Sequence, residues 1–411
     1  MGNIGQQHHH QTIRPNRDGA SFAHAACPQR GRRAPSSRFY STLILGLLCA
    51  VLWMPASTSS EPSPAGGEAA SPSNRVRLAF TGDVGLMKHK QGTSTAPVPW
   101  ERNRLRFVAP IFAQADLAVV NFEGVMTQEP RGLHSGHLWS PLEGASIFKP
   151  AGVHLVSLAN NHANDSGSDG LAETMNALER QGLSTIGAGP DQERAYAPHI
   201  YPVGDGGGCI AILPAVLWSN RPVRGPMQLA QYNPLHDGSE QALADNVRAA
   251  RQRCGFVAVY IHWGLEFRHQ PHRAMVELGH RMVEAGAGLV VGHHPHVLQG
   301  VEFVGRSAIV YSLGNFVFPN TKRHSKPDMR TSGVLMADIQ MHRETPYLDA
   351  LSLVPTIIEP RNIAPVPLDA PVLQQRLRDD LHRWSHGFGT QVELEDGVIH
   401  FEPPRAAALV P

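Results

Sequence analysis

From Val76 onward, short apolar runs alternate with segments whose apolar residues recur at helical spacing. The runs at 76–81, 117–121, 154–158, 210–216, 257–262, 289–292 and 308–312 have the length and β-branched content of buried strands. Between them, 105–115, 170–181, 239–253 and 272–285 carry apolar stripes that predict helices. Leu171, Met175 and Leu178 show the i, i+4, i+7 spacing, and Gly182 supplies a stop. The alternation predicts an α/β protein, a layered α/β sandwich. Past Pro319 the pattern changes. Strand-like 333–341 and 348–358, an amphipathic stretch at 372–384 and a hairpin around Asp396-Gly397 predict edge strands and a C-terminal extension over 319–411.

Upstream of this region the pattern is different. Residues 1–38 have no apolar periodicity and are read as a disordered leader. The uncharged run at 43–54, preceded by Arg32, Arg33 and Arg38 and followed by small residues, has the length of a signal-peptide hydrophobic region rather than a membrane span. Residues 39–60 are therefore expected to act as a signal peptide or membrane anchor, placing the protein outside the cytoplasm, at the outer face of the cytoplasmic membrane or in the periplasm or cell envelope. Residues 61–74, rich in Pro, Ser, Gly and Ala, read as a flexible linker. The main folded domain is expected over 75–318.

Composition narrows the function classes. In 411 residues, 36 Lys+Arg balance 35 Asp+Glu and 42% are hydrophobic, which excludes a fully disordered chain and gives no basic excess for nucleic-acid binding. Seven of the 23 histidines fall between His262 and His296, which directs attention to that stretch. Beyond the linker only Cys209 and Cys254 remain, each just before an apolar run. If those runs are neighbouring parallel strands, the two cysteines share one end of the sheet. Pairing in an oxidising compartment and two buried thiols then fit equally.

Polar clusters sit at the ends of the predicted strands: Thr81-Gly82-Asp83, Asn121-Phe122-Glu123, Asn160-Asn161-His162, His262 through Glu266, and His293-His294-Pro295-His296. In an open α/β sheet, ligands bind beyond the carboxyl ends of the strands, so the five clusters are expected to converge. Carboxylates, an amide oxygen and imidazoles form a mixed O/N donor set suited to Mn²⁺, Fe or Zn²⁺. One or two such ions polarise a phosphoryl oxygen and activate water. His294 and His296, two apart, project to one side in extended backbone. Asn315 follows another strand and is expected to hydrogen-bond into the same crevice. Arg268 and Arg273 read as a solvated helix start, and His269, His272 and His280 as surface or rim residues.

Six segments in order, FTGDVGLM (80–87), NFEGVMT (121–127), SLANNHANDSGSDGLAETMNAL (157–178), IHWGLEF (261–267), GHHPHVLQGVE (292–302) and YSLGNFVF (311–318), resemble the CapA-type family of poly-γ-glutamate capsule synthesis. Its fold is similar to that of the calcineurin-like metallophosphoesterases. The resemblance implies Asp83, Glu123, Asn161, His262, His294 and His296 as metal ligands and His162 as the acid that protonates a leaving group. Asn121, Asn160, Asp165, Glu266, His293 and Asn315 are implied around them as substrate or supporting residues, and Asp169 as a second carboxylate that orients His162. The chain departs from metallophosphoesterases at two points. Asp83 is followed by Val84 and Gly85, without the Asp-x-His imidazole, and Asn121-Phe122-Glu123 replaces Gly-Asp-x-x-Asp.

Two leading functions fit this site, beside a third, a freely secreted nucleotidase-like scavenger with a cleaved signal. One is an exported, metal-dependent hydrolase acting on a phosphate ester or anionic polymer in poly-γ-glutamate or related envelope-polymer synthesis. The other is a non-catalytic subunit that holds the polymer beside a membrane poly-γ-glutamate synthase. Both imply membrane association.

Overall fold

The computed structural model describes residues 75–86, 104–130, 136–204, 208–318, 327–341, 345–360 and 363–404. The leader, the apolar run at 43–54 and the linker lie outside the described residues. Among the described residues no helix is long and apolar enough to cross a membrane.

Two sheets form the frame. In the first, Arg75–Val84 pairs in parallel with Leu117–Phe122, which continues to Leu155–Ser157 and Ser184–Ile186. In the second, Gly208–Val216, Phe256–His262, Leu289–His293 and Ser307–Val310 run parallel, and His199–Val203 and Val301–Val304 close the edges antiparallel.

The period-2 alternation of the strands sorts their side chains into two cores. Leu78, Phe80, Leu117 and Val119 of the first sheet meet Ile210, Ile212, Ala258, Tyr260, Leu289 and Val291 of the second in one cluster between the sheets. The intervening residues, such as Ala79 and Val120 in one sheet and Val257, Val259 and Ile261 in the other, face outward. There they join Leu171 and Leu178 of helix Gly167–Arg180, Leu243 and Val247 of Ser239–Arg253, and Met275, Leu278 and Met282 of Arg273–Glu284. The result is the layered α/β sandwich expected from the sequence. Each fully buried Leu or Phe in such a core contributes roughly 1.5–3 kcal/mol of transfer free energy.

Three expectations need correction. The strand at Thr331–Gln340 is not at an edge. It lies between Arg75–Val84 and Tyr347–Glu359, antiparallel to both. Its apolar stretch Val334 to Ala337 is buried without interruption, the mark of a strand covered on both faces. The true sheet edge lies further on, at the hairpin Gln391–Glu395 and Val398–Glu402. Its Asp396-Gly397 turn has φ of 48° and 81°, as Asp-Gly hairpins require. Helix Pro371–Ser385, far from being an appendage, buries Leu377 and Leu381 in the inter-sheet core. Finally, the helix expected over 105–115 is only Ala109–Phe112, preceded by turns.

Cys209 and Cys254 form a disulfide. They stand at the starts of neighbouring parallel strands, at the sheet end opposite the polar clusters.

Candidate metal centre

The parallel strands of both sheets deliver their carboxyl ends to one place. Asp83 lies at the end of Arg75–Val84, Glu123 just after Leu117–Phe122, and Asn160 and Asn161 after Leu155–Ser157. From the other sheet come His262 and His293, the last residues of their strands, followed by His294 and His296. Asp83, Glu123, Asn160, Asp165, His262, His293 and Asn315 are fully buried. Two glycines permit this approach. A Cβ on Gly82 would lie 1.9 Å from the Gly314 carbonyl oxygen, and one on Gly292 would lie 2.2 Å from both Trp263 Nε1 and the Tyr311 carbonyl oxygen. The first contact lets Asp83 sit beside Asn315 in parallel register.

The donors gather in two groups, Asp83 with His262 and His293, and Glu123 with His294 and His296, with ligand atoms in each within 4.8 Å of one another. The ring centroids of His262 and His294 are 4.6 Å apart, so the groups adjoin. Asp83 Oδ1 accepts from Asn121 Nδ2 at 2.8 Å, and Oδ2 accepts from the backbone N–H of His294 at 3.0 Å. His293 Nδ1 stands 3.4 Å from Asp83 Oδ1. Burial alone disfavours the Asp83 carboxylate, but its hydrogen bond to His293 and the facing imidazoles outweigh this and hold it below its ordinary pKa.

Glu123 is in the opposite condition. Both of its carboxylate oxygens are buried without a hydrogen-bond partner, and the nearest imidazole nitrogens, of His162 and His296, stand 3.9 Å away. Burial first, and then the charges of Asp83, Glu266 and Asp165, raise it well above the usual carboxylate range. His293 Nε2 and His294 Nδ1 are also buried without partners. Burial and neighbouring imidazoles push His262 well down and His294 down to about 3, keeping both neutral, as a metal-ligating imidazole must be. A buried carboxylate with no donors, beside the neutral His294 ring with its open Nδ1, is a donor set that fits a divalent cation.

The surroundings fix these groups in place. Asn161 Oδ1 is 2.8 Å from His262 Nε2. Asn315 Oδ1 holds His296 Nδ1 at 2.8 Å and its Nδ2 donates to the Met329 carbonyl at 3.1 Å. Asn160 donates to Asn121 Oδ1 and the Phe122 carbonyl, bracing the loop rather than facing the centre. His162 Nδ1 is 2.7 Å from Asp165 Oδ2, which also accepts from the Leu138 N–H. Trp218 packs edge-on to His294, and Phe267 stacks against His296. Glu266 is only half-buried and acts through its charge. His269 stacks on Trp384, His272 caps its helix, His280 pairs with Glu302, and Arg273 pairs with Glu277 on the exposed face.

Two details differ from the sequence reading. His293, expected to support the site, joins the first donor group and brings an imidazole beside Asp83, the position where the motif lacks one. His294 and His296 do reach one group, but not through extended backbone: their φ values are 100° and 59°, a left-handed turn that non-glycine residues rarely adopt. Trp218 and Asn220 carry no motif signal and were not legible in the sequence.

Comparison with known proteins agrees with this architecture. Residues 77–320 match the family described as bacterial capsule synthesis protein PGA_cap. The chain is 25% identical over 304 residues to the PGA biosynthesis protein CapA of Bacillus subtilis (strain 168), covering 72% of this chain and 75% of that one. To the capsule biosynthesis protein CapA of Bacillus anthracis it is 27% identical over 286 residues, 64% and 66% of the two lengths. To a probable polyglutamine synthesis accessory protein of Mycobacterium tuberculosis (strain ATCC 25618 / H37Rv) it is 27% identical over 251 residues, 58% and 65%. The family match takes in more than half of the chain and every strand end that carries a candidate ligand, and on that ground the protein belongs to the CapA-type bacterial capsule synthesis family, with a metallophosphoesterase-like α/β fold.

Proposed function

We propose that this protein is an exported, membrane-associated member of the CapA family. On this reading it works in poly-γ-glutamate or related envelope-polymer synthesis through a metal-dependent hydrolase-type site acting on a phosphate ester or an acidic polymer. The observation that carries the reading is Glu123, a buried carboxylate without hydrogen-bond donors, facing His294 and His296. The residues that would hold one or two divalent cations, Mn, Fe or Zn, are Asp83, His262 and His293 in one group and Glu123, His294 and His296 in the other, with Asn161 beside His262. A cation bound there supplies Lewis-acid polarisation of a phosphoryl or carbonyl oxygen. His162, its Nδ1 held by Asp165, presents Nε2 toward the Glu123 side and is placed to give a proton to a leaving oxygen.

A second reading, a non-catalytic subunit that binds the polymer beside a membrane synthase, draws on the first motif, where Val84 and Gly85 replace the usual imidazole. One experiment separates the two. Metal content and phosphomonoesterase, phosphodiesterase and poly-γ-glutamate turnover are measured on purified protein supplied with Mn²⁺, Fe²⁺ or Zn²⁺, with Asn161→Ala and His262→Ala beside it. The hydrolase reading expects bound metal and turnover to fall together in both variants, with turnover lower by at least about 100-fold. Metal without turnover on any of these substrates supports the assembly role. Absence of bound metal refutes the site.

A further inference from the structure

The strand Gly208–Val216 ends in a polar loop that reaches across to the segment carrying Asn161 and His162. The backbone N–H of Asn220 donates to the Asn161 carbonyl at 3.0 Å. Arg221 Nη1 donates to the Asp165 carbonyl at 2.6 Å, and Asn164 Nδ2 donates to the Pro222 carbonyl at 3.0 Å. These bonds clasp the two loops together through main-chain atoms and the flanking residues.

The Asn220 side chain does something separate. Its Oδ1 accepts from Asn161 Nδ2 at 3.2 Å, and its own Nδ2 lies 3.3 Å from both ring nitrogens of His162. An amide has one acceptor end and one donor end, and only the oxygen can ligate a cation. Asn161 is nearly fully buried, so both ends of its amide need partners. With its Nδ2 satisfied by Asn220, its Oδ1 is turned to His262 Nε2, on the edge of the first donor group. Rotated by half a turn, the same side chain would set two oxygens against each other at Asn220 and present an N–H₂ to the cation.

We infer that Asn220 is a positioning residue of the metal centre: by taking the Asn161 N–H, its side chain decides which end of the Asn161 amide faces the cation. This rests on the reading that the centre holds a divalent metal. It assigns a role to a residue outside the strand-end motifs, in a loop that no motif marks.

The affinities of the purified full chain for Mn²⁺ and Zn²⁺ test it, read by competition with a chromogenic chelator, for the wild type, Asn220→Ala and Asn220→Asp. Asn220→Ala keeps the backbone clasp and loses the acceptor, so its affinity should fall by about 10- to 100-fold, as for other supporting residues around metal ligands. Asn220→Asp keeps the acceptor and should match or exceed the wild type. Asn220→Leu, close in size and without an acceptor, carries the same expectation as the alanine variant. Melting of the chelated proteins checks that each is folded. Wild-type affinity in the Ala and Leu variants overturns the inference, as does an Asp variant as weak as Ala. If the wild type itself binds neither ion, the metal-centre reading fails and this inference fails with it, an outcome distinct from a metal-binding wild type with an indifferent Asn220.

Discussion

His294 shows what the site asks of a single residue. Its ring is buried beside His262 and Trp218 and kept neutral, while its backbone sits at φ 100°, where a Cβ is unwelcome. Ligand placement and backbone comfort therefore oppose each other, and substitution can separate them. Both His294→Gly and His294→Ala remove the imidazole and should lose metal. In chelated protein, glycine relieves the left-handed backbone and alanine does not, so His294→Gly should melt above His294→Ala by roughly 2 °C. A glycine variant that melts no higher than the alanine variant would mean that the strain of the turn does not exceed the extra unfolded-state freedom of glycine. The same backbone explains what the sequence left hidden. The run His293-His294-Pro295-His296 announces metal ligands, but which ring faces Asp83 depends on two left-handed residues that no periodicity encodes. By contrast Asp83, Glu123, Asn161 and His262 were legible, because each stands at or just beyond the end of a strand that its apolar run marks.

Among the elements, the pairing of Arg75–Val84 with Thr331–Gln340 stands out. Arg77 and Asp338 lie directly opposite across the two strands, and the guanidinium grips the carboxylate through Nε at 2.7 Å and Nη2 at 3.1 Å, with Arg75 joining it. Burial alone lifts Asp338, but the hydrogen bonds from Arg77 and Arg75 outweigh it and hold the carboxyl below its ordinary 3.8. An acid with a depressed folded-state pKa stabilises the protein above its unfolded value and loses that contribution as pH falls through the folded value. Asp338→Asn should therefore cost about 1–2 kcal/mol at pH 7, a figure reduced for the partly exposed arginines. The wild type should converge on the variant as the pH is lowered through and below about 3.8. Urea denaturation at neutral and acid pH measures both, and a constant gap would refute the assignment. The sequence showed this strand but not its place. An uninterrupted apolar run such as Val334 to Ala337 signals cover on both faces, yet only the topology tells which neighbour provides it.

For the molecule as a whole, that placement sets what can fold alone. The motifs end at Phe318, and the sequence suggests a domain that ends with them. In the structure, a chain stopped there would leave one flank of the first strand without its partner and the inter-sheet core without Leu335, Leu351, Leu353, Leu377 and Leu381. A truncation at 318 should lack the single cooperative melt of the full protein, measured by circular dichroism; a cooperative melt would show that the later strands are dispensable. The disulfide is placed differently. It ties the starts of two strands whose far ends deliver the Trp218–Asn220 loop and His262, 45 residues apart in sequence at the bridge itself. The pairing of Arg77 with Asp338 spans 261 residues, and this separation orders events in time. During synthesis Arg75–Val84 emerges before the other described strands, and the neighbour that covers its flank follows only after the parallel strands of both sheets are out. Contacts so distant in sequence close slowly. Until Thr331–Gln340 arrives, the ribosome holds an unfinished sheet, with one flank of Arg75–Val84 still uncovered.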